Sequence, residues 1–199
     1  MRIPMLRIVS RPALAAALAL SAATLAAEPV TYRLDPNHTI VLARWNHFGF
    51  SNPVAHFGQV QGTLVYDADD PAASRVEVVL PLAGLTGFVP KFDEHLRSAD
   101  FFDADNHPEA RFRSTAVEPA GEGRLKVAGA LTIKGITRPV TLDVRINKVG
   151  ELRGRPAAGF DATATLRRSE FDLGRFVPNV SDEVELSITT EALGPRAGE

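Results

Sequence analysis

From Tyr32 onward, apolar and polar residues alternate with a period of two, which is the pattern of a β-strand that buries one face. In residues 75–82, every second residue is apolar, whereas Arg75 and Glu77 point to the other side. Seven further segments show the same alternation, so the chain is predicted to form eight strands. Their inward positions are Val41, Ala43 and Trp45; Val60, Leu64 and Tyr66; Ala110, Phe112 and Ser114; Leu125, Val127, Gly129, Leu131 and Ile133; Val140, Leu142, Val144 and Ile146; Phe160, Ala162, Ala164 and Leu166; and Val184, Leu186 and Ile188.

Turn-forming residues separate these segments, and several of the connections are short. Examples are Ser51-Asn52-Pro53 and Lys134-Gly135. Short connections favour antiparallel neighbours. Residues 90–102 break the alternation, and Phe92, Leu96 and Ala99 fall at helical spacing, which predicts one short helix there.

Eight strands with one apolar face each must bury those faces together, either as a closed barrel or as a sandwich. The interior of an eight-stranded barrel is either filled by side chains or holds one small ligand. Several inward positions carry small residues, and we expect these to leave apolar volume inside the protein. They are Ala43, Gly62, Gly129, Ala162 and Ala164.

The first 27 residues follow the order of a cleaved secretory signal peptide: three arginines, an apolar run over 13–20, then small residues. We expect cleavage near Ala26 or Ala27, which leaves one domain over residues 28–195. The apolar run is too short to span a bilayer, and no long apolar stretch follows it. The chain has no cysteine, so lipid anchoring through an N-terminal cysteine is not expected. These observations predict an exported protein without stable membrane insertion.

The charge balance argues against nucleic acid as a partner, since the 22 basic and 24 acidic residues give a net charge of −2. Loss of the three arginines before residue 27 makes the mature chain more acidic still. An outer-membrane barrel is an alternative for eight alternating strands. However, lipid-facing charges are costly, and one tryptophan with two tyrosines is too few for aromatic girdles.

Histidines and carboxylates are the residues with the most chemical potential. His38, His47 and His56 are nine residues apart, and a hairpin at Ser51-Asn52-Pro53 would place His47 opposite His56. Two histidines make a poor zinc site, so no metal is predicted. The carboxylates and histidines within 93–107 resemble acid–base machinery, but the chain has no cysteine and no Gly-x-Ser-x-Gly nucleophile. Helix capping and ion pairing explain this cluster, and we predict neither catalytic residues nor a cofactor.

Four stretches resemble the YceI family of exported bacterial proteins, in the family's order. They are YRLDPNHTIVLARWNHFGFS at 32–51, FDEHLRSADFFDADNHPEARFRST at 92–115, GALTIKGITRPVTLDV at 129–144 and RSEFDLGRFVPNVSDEVELSI at 168–188. The resemblance implies an all-β, antiparallel eight-stranded, lipocalin-like barrel with one short helix. It also implies a periplasmic location, pairing as homodimers, and a long-chain isoprenoid or fatty-acid-like lipid in the pore. The chain departs from the family pattern at Ala55-His56, where Gly-Arg is common.

The leading interpretation is thus a binding protein that carries or buffers a lipid, and the alternative is a lipid-modifying enzyme that uses acid–base chemistry in the same pore. The candidate ligand contacts are selected by their inward-facing positions in the alternating pattern, together with the resemblance. His47 is expected to hydrogen-bond a polar ligand head. The remaining candidates are Val41, Trp45, Leu64, Phe101, Phe112, Leu131, Val144, Phe160 and Leu186.

Overall fold

The computed structural model describes residues 28–196 and residue 198. The predicted signal peptide, residues 1–27, lies outside the described residues. The described chain contains one α-helix, three short 3₁₀ turns and eleven strands. The strands are β1 (Val30–Leu34), β2 (Ile40–Arg44), β3 (Val54–Phe57), β4 (Gln61–Tyr66), β5 (Arg75–Pro81), β6 (Leu85–Thr86), β7 (Glu109–Pro119), β8 (Arg124–Ile133), β9 (Ile136–Leu152), β10 (Arg155–Arg167) and β11 (Glu183–Leu193).

Eight of these strands close into a ring in the order β1, β4, β5, β7, β8, β9, β10, β11 and back to β1. The closing contact pairs Arg33 with Leu193 and Leu34 with Ala192. Every pairing in the ring is antiparallel. The predicted antiparallel eight-stranded barrel with one short helix is therefore confirmed.

The other three strands extend the barrel at one end. β2 pairs with the N-terminal part of β11, whereas β1 pairs with its C-terminal end. In the same way, β3 pairs with β2 as β4 pairs with β1, and β6 pairs with β3 as β5 pairs with β4. Each of these couples, β1/β2, β3/β4 and β5/β6, thus acts as one strand that is interrupted by a loop.

The barrel wall is not continuous at this extended end. The pairing of β5 with β7 stops at Pro81–Glu109, and the helix α1 (Pro90–Arg97) lies beyond it against β6. Asp93 ties the helix to the end of β6, because it accepts hydrogen bonds from the Thr86 hydroxyl at 2.9 Å and the Gly87 backbone N–H at 2.5 Å. The predicted helix within 90–102 is confirmed, and it forms part of the wall.

A second break separates β9 from β10, whose pairing ends at Thr163–Asp143. The 3₁₀ turn Arg168–Phe171 and the loop up to β11 lie at this break. Lys134, in the turn between β8 and β9, reaches this loop and donates to the Asp172 carboxylate at 2.7 Å. Both breaks lie at the same end of the barrel, which is where the cavity described below is found.

The small inward residues do not all leave empty space, and this corrects the expectation from sequence. A Cβ at Gly129 would lie 2.4 Å from Cζ of Phe112, and a Cβ at Gly62 would lie 2.7 Å from Cδ1 of Leu34. Large side chains from neighbouring strands therefore occupy the volume that these glycines vacate. Their role is to admit those side chains into the barrel.

Candidate ligand-binding site

Two cavities follow one another along the barrel. The larger has a volume of about 670 Å³ and lies at the extended end, between α1, β2, β3 and the 168–182 loop. The smaller, about 170 Å³, lies inside the closed ring. Leu186 on β11 lines both cavities, so they adjoin each other across this side chain.

The wall of the larger cavity is almost entirely apolar. Trp45 and Phe92 approach each other there with ring centroids 6.0 Å apart, and Phe57 packs edge-on against Phe102 at 5.8 Å. The polar side chains in its lining are His47, His95 and Arg168. Such a surface favours an apolar ligand with few polar groups.

Arg168 is 8% exposed, and its cation is satisfied by backbone carbonyls rather than by a carboxylate. Its guanidinium donates to the carbonyls of Leu173, Arg175, Val180 and Ser181. Burial lowers the pKa of Arg168, while nearby Asp182 opposes this effect. Arg168 therefore holds the 168–182 loop in shape beside the cavity.

The smaller cavity is lined by aliphatic and aromatic side chains from the ring. Tyr66 packs edge-on against Phe160, with centroids 5.7 Å apart, and burial raises the pKa of Tyr66. Thr39 and Thr190 also line this cavity, and their hydroxyls hydrogen-bond each other at 2.7 Å. Because these hydroxyls are already paired, this part of the cavity makes little polar demand on a ligand.

All ten predicted contact residues lie on the walls of the two cavities; contact with a ligand stays a prediction. His47, Trp45 and Phe101 line the larger cavity, and Leu186 lines both. The remaining six line the smaller cavity: Val41, Leu64, Phe112, Leu131, Val144 and Phe160. The alternation in the sequence thus identified residues that are far apart in the chain and that lie around the same two cavities.

Sequence reasoning missed a set of exposed phenylalanines, which we name the aromatic rim: Phe48, Phe50, Phe88 and Phe176. Their exposed fractions are 48%, 92%, 64% and 49%. Phe88 and Phe176 also line the larger cavity, so they mark the edge where it meets solvent. A signal was present in the sequence, because the tripeptide Phe-Val-Pro occurs at both 88–90 and 176–178.

Three residues of the aromatic rim have a left-handed backbone. The φ angles of Phe48, Phe88 and Phe176 are 54°, 68° and 69°. This conformation costs an L-residue roughly 1–2 kcal/mol and is unusual for a bulky side chain. The loops therefore hold these rings in place at an energetic cost.

The suggested pairing of His47 with His56 is wrong. His56 pairs with Leu42, whereas His47 forms bridges to Ser51 and Val180. His56 lies between Ala55 and Phe57, which both line the larger cavity, so its own side chain faces the other side of the strand. The departure from the family pattern at Ala55-His56 falls within β3, and Ala55 is part of the cavity wall.

One cluster in the described chain has the donor set of a metal site: Asp35, His38 and Glu191, whose ligand atoms lie within 4.8 Å of one another. His38 Nδ1 lies 2.8 Å from the Asp35 carboxylate. That hydrogen bond raises the pKa of His38, with a contribution from Glu191, and it also lowers the pKa of Asp35. Asp35 and His38 pair with each other in the turn after β1, and none of the three residues lines either cavity.

Three of the five carboxylates within 93–107 have structural partners. Asp93 caps the end of β6, Asp100 forms an ion pair with Arg175, and Asp103 accepts hydrogen bonds from Asn106. None of these three carboxylates lines either cavity. This agrees with the interpretation of the cluster as capping and ion pairing.

Comparison with known proteins places this architecture in one family. The sequence profile of the YceI-like domain matches residues 32–192. A UPF0312 protein of Ectopseudomonas mendocina is 34% identical over 185 residues, which is 89% of this chain and 96% of that protein. Protein YceI of Escherichia coli O157:H7 is 33% identical over 165 residues, covering 81% of this chain and 86% of the relative.

Solved structures have the same fold. BcnA of Burkholderia cenocepacia superposes with a TM-score of 0.72 at 25% identity, covering 79% of this chain and 98% of that one. A polyisoprenoid binding domain from Saccharophagus degradans superposes with a TM-score of 0.65 at 12% identity, covering 83% and 99%. With the profile match across the whole barrel, these comparisons show that the chain belongs to the YceI-like domain family.

Proposed function

We propose that this protein binds one long-chain apolar lipid, an isoprenoid or a fatty amphiphile, inside the barrel, and that it serves as a carrier or buffer in the periplasm. The observation that carries the proposal is the pair of adjoining apolar cavities, which share Leu186 and run from the aromatic rim into the closed ring. A linear molecule fits such a path better than a compact one.

The dimensions of the barrel support a long ligand. The ten residues of β8 extend over about 33 Å, which projects to about 25 Å along the axis at the usual strand tilt. Ile133, at the end of β8, lines the larger cavity, whereas residues from Leu131 back to Leu125 line the smaller one. A ligand that occupies both cavities therefore lies along the barrel axis.

The two ends of the site differ in polarity, which suggests how the ligand is oriented. His47 and His95 line the larger cavity and are themselves exposed, so water reaches that end. In the smaller cavity, the hydroxyls of Thr39 and Thr190 satisfy each other. We place the tail in the smaller cavity and the polar group near His47 and His95.

The outer wall of the barrel supports an aqueous location. Cross-strand ion pairs lie on the outward faces, such as Glu77 with Arg113 and Lys126 with Asp143. Charges on a lipid-facing barrel surface are costly, which disfavours an outer-membrane barrel. Among the described residues, no helix is long and apolar enough to cross a membrane. Export rests on the signal pattern of residues 1–27.

The related domain from Saccharophagus degradans is described as polyisoprenoid-binding, which matches the proposed ligand class. The test is native mass spectrometry of protein purified from the periplasm, followed by identification of any released lipid. Ligand-free protein is then titrated with linear isoprenoid alcohols of increasing length. Affinity should rise by about 0.8 kcal/mol per buried methylene until the cavities are full, and then level off. Protein that takes up none of the series would refute the proposal.

A further inference from the structure

Two of the four phenylalanines in the aromatic rim take no part in lining the cavities. Phe48 and Phe50 belong to the turn between β2 and β3 and do not line either cavity, and Phe50 is 92% exposed. Exposed apolar residues that cluster in one place mark an interaction surface. The rim therefore has a role besides enclosing a ligand.

Three loops bring the rim together. The 46–53 turn carries Phe48 and Phe50, the 86–92 segment carries Phe88, and the 174–180 segment carries Phe176. The Phe48 N–H donates to the Asn179 carbonyl at 2.7 Å, which joins the first loop to the third, and Phe88 and Phe176 line the same cavity. Phe176 also packs near Phe101, with centroids 6.4 Å apart. Val89 and Val177 follow two of the phenylalanines and are 55% and 40% exposed.

The charged side chains within these three segments are cations, and the nearest acidic residues along the chain, Asp93, Glu94 and Asp172, lie just outside the segments. The three segments contain Lys91 and Arg175 and no aspartate or glutamate, although the chain has a net charge of −2. Arg175 lies over the Phe176 ring, 5.2 Å from its centroid, and it also forms an ion pair with Asp100, in which both side chains are about half exposed. A surface of exposed aromatic rings flanked by cations fits the interface of an anionic bilayer, where rings enter the headgroup region and cations meet phosphates.

We propose that the aromatic rim docks the protein on the surface of an anionic phospholipid membrane, with the mouth of the larger cavity facing the bilayer. Two of the rim residues also line that cavity, so docking would give a lipid an apolar path between bilayer and barrel. This purpose rests on the proposed lipid-binding function, whereas docking itself rests only on the rim. Binding is peripheral and reversible, because four rings and two valines insert only at the interface.

The test is flotation of the periplasmic protein with vesicles of phosphatidylethanolamine and phosphatidylglycerol, compared with vesicles of phosphatidylcholine alone. The rim variant is F48N/F50S, because neither residue lines a cavity; asparagine at 48 tolerates the left-handed backbone of that position. The matched control is V149S/L152S, which removes two exposed apolar residues, 38% and 43% exposed, near the opposite end of β9. Native mass spectrometry of each protein reports whether it still holds a lipid.

The parent and the control should float with the anionic vesicles, and the rim variant should lose about tenfold in vesicle affinity. K91E should weaken binding to anionic vesicles, and added salt should do the same. The rim variant should retain its lipid, so loss of docking and loss of lipid binding are separate results. A rim variant that floats like the parent overturns the proposal. A parent protein that does not float also overturns the proposal. If such a parent sediments as a dimer and the rim variant sediments as a monomer, the rim is the interface with a second copy of the chain.

Discussion

Position 129 shows, at the scale of single residues, how closely the interior of the ring is packed. The nearest atoms to a Cβ built on Gly129 are Cζ of Phe112 at 2.4 Å and the backbone oxygen of Arg113 at 2.6 Å. The backbone atom cannot move without disturbing the pairing of β7 with β8. We therefore expect G129A to destabilise the protein by roughly 1–3 kcal/mol in chemical denaturation.

Gly159 on β10 is the matched control for this substitution. A Cβ there meets its nearest neighbours at 3.8 and 3.9 Å, which is ordinary contact. G159A should be neutral or slightly stabilising, because alanine loses less backbone entropy than glycine on folding. Equal stabilities of G129A and G159A would show that Phe112 does not pack over position 129.

His38 is the second residue whose environment makes a measurable difference. Its hydrogen bond to Asp35, and then the charge of Glu191, raise the pKa of His38 in the folded protein. The protonated ring thus favours the folded state. This contribution is complete below the unfolded pKa of about 6.5 and is lost as the pH rises through the higher folded pKa. The effect on stability is small, because the ring is exposed and solvent screens the pair.

An NMR titration of the histidines measures this shift directly. D35N should lower the pKa of His38, and E191Q should lower it less. D105N changes an exposed carboxylate near the other end of the barrel and should leave the His38 titration unchanged. A His38 pKa that D35N does not lower would mean that the ion pair is not formed in solution.

At the scale of elements, Arg168 and the 168–182 loop form a single unit. One guanidinium satisfies four backbone carbonyls, and no strand pairing with β9 supports this part of the wall. R168M keeps the length of the side chain but leaves those carbonyls without donors, and each buried unsatisfied group costs about 1–3 kcal/mol. We expect a loss of about 3 kcal/mol or more in thermal or chemical unfolding, and faster proteolysis within the loop.

R167M is the control for this variant, because Arg167 is the neighbouring residue and its side chain is exposed. It should change stability by less than about 0.5 kcal/mol. R168K preserves the positive charge but not the planar set of donors, so it should behave more like R168M than like the parent. Full stability of R168K would show that the charge matters and the fork of hydrogen bonds does not.

The sequence was most informative where elements are regular. Alternation predicted seven of the eight ring strands and their inward faces, because a half-buried strand requires one apolar residue in two. The eighth ring strand, β1, was not among the predicted segments, which included β2 instead. Alternation also did not predict that β1/β2, β3/β4 and β5/β6 are interrupted, since short apolar runs on either side of a break keep a strand-like pattern. The breaks in the wall depend on where pairing stops, and this is a tertiary property.

The aromatic rim shows a different limit of prediction from sequence. A phenylalanine looks the same in the sequence whether it is exposed or buried, so the hydrophobic pattern alone assigns it to the interior. Phe48, Phe88 and Phe176 also have left-handed backbones, and such angles are expected for glycine or asparagine rather than phenylalanine. The repeated Phe-Val-Pro tripeptide was a visible but unexplained signal.

At the scale of the whole molecule, the question is whether the ligand lies inside the barrel, and a charge introduced at Leu131 tests this. Leu131 is 7% exposed and lines the smaller cavity, two residues along β8 from Ile133 in the wall of the larger one. A glutamate there places an unpaired charge in an apolar interior at a cost of several kcal/mol, which exceeds the contribution of one leucine to lipid contact. L131E should therefore abolish lipid retention, as measured by native mass spectrometry and by binding of an isoprenoid alcohol.

Ala130 is the matched control, since it is the neighbouring residue on β8 and faces the other side of the wall. It pairs across the sheet with Arg113, so the new carboxylate of A130E lies in water beside the ion pair of Arg113 with Glu77. Lys126 is less suitable, because it already forms an ion pair with Asp143 that K126E would turn into a repulsion. A melting curve separates lost binding from lost folding, and V144E provides a second inward charge should L131E unfold. Folded L131E or V144E protein that binds lipid as well as A130E would place the ligand outside the barrel, and the function of both cavities would have to be reassigned.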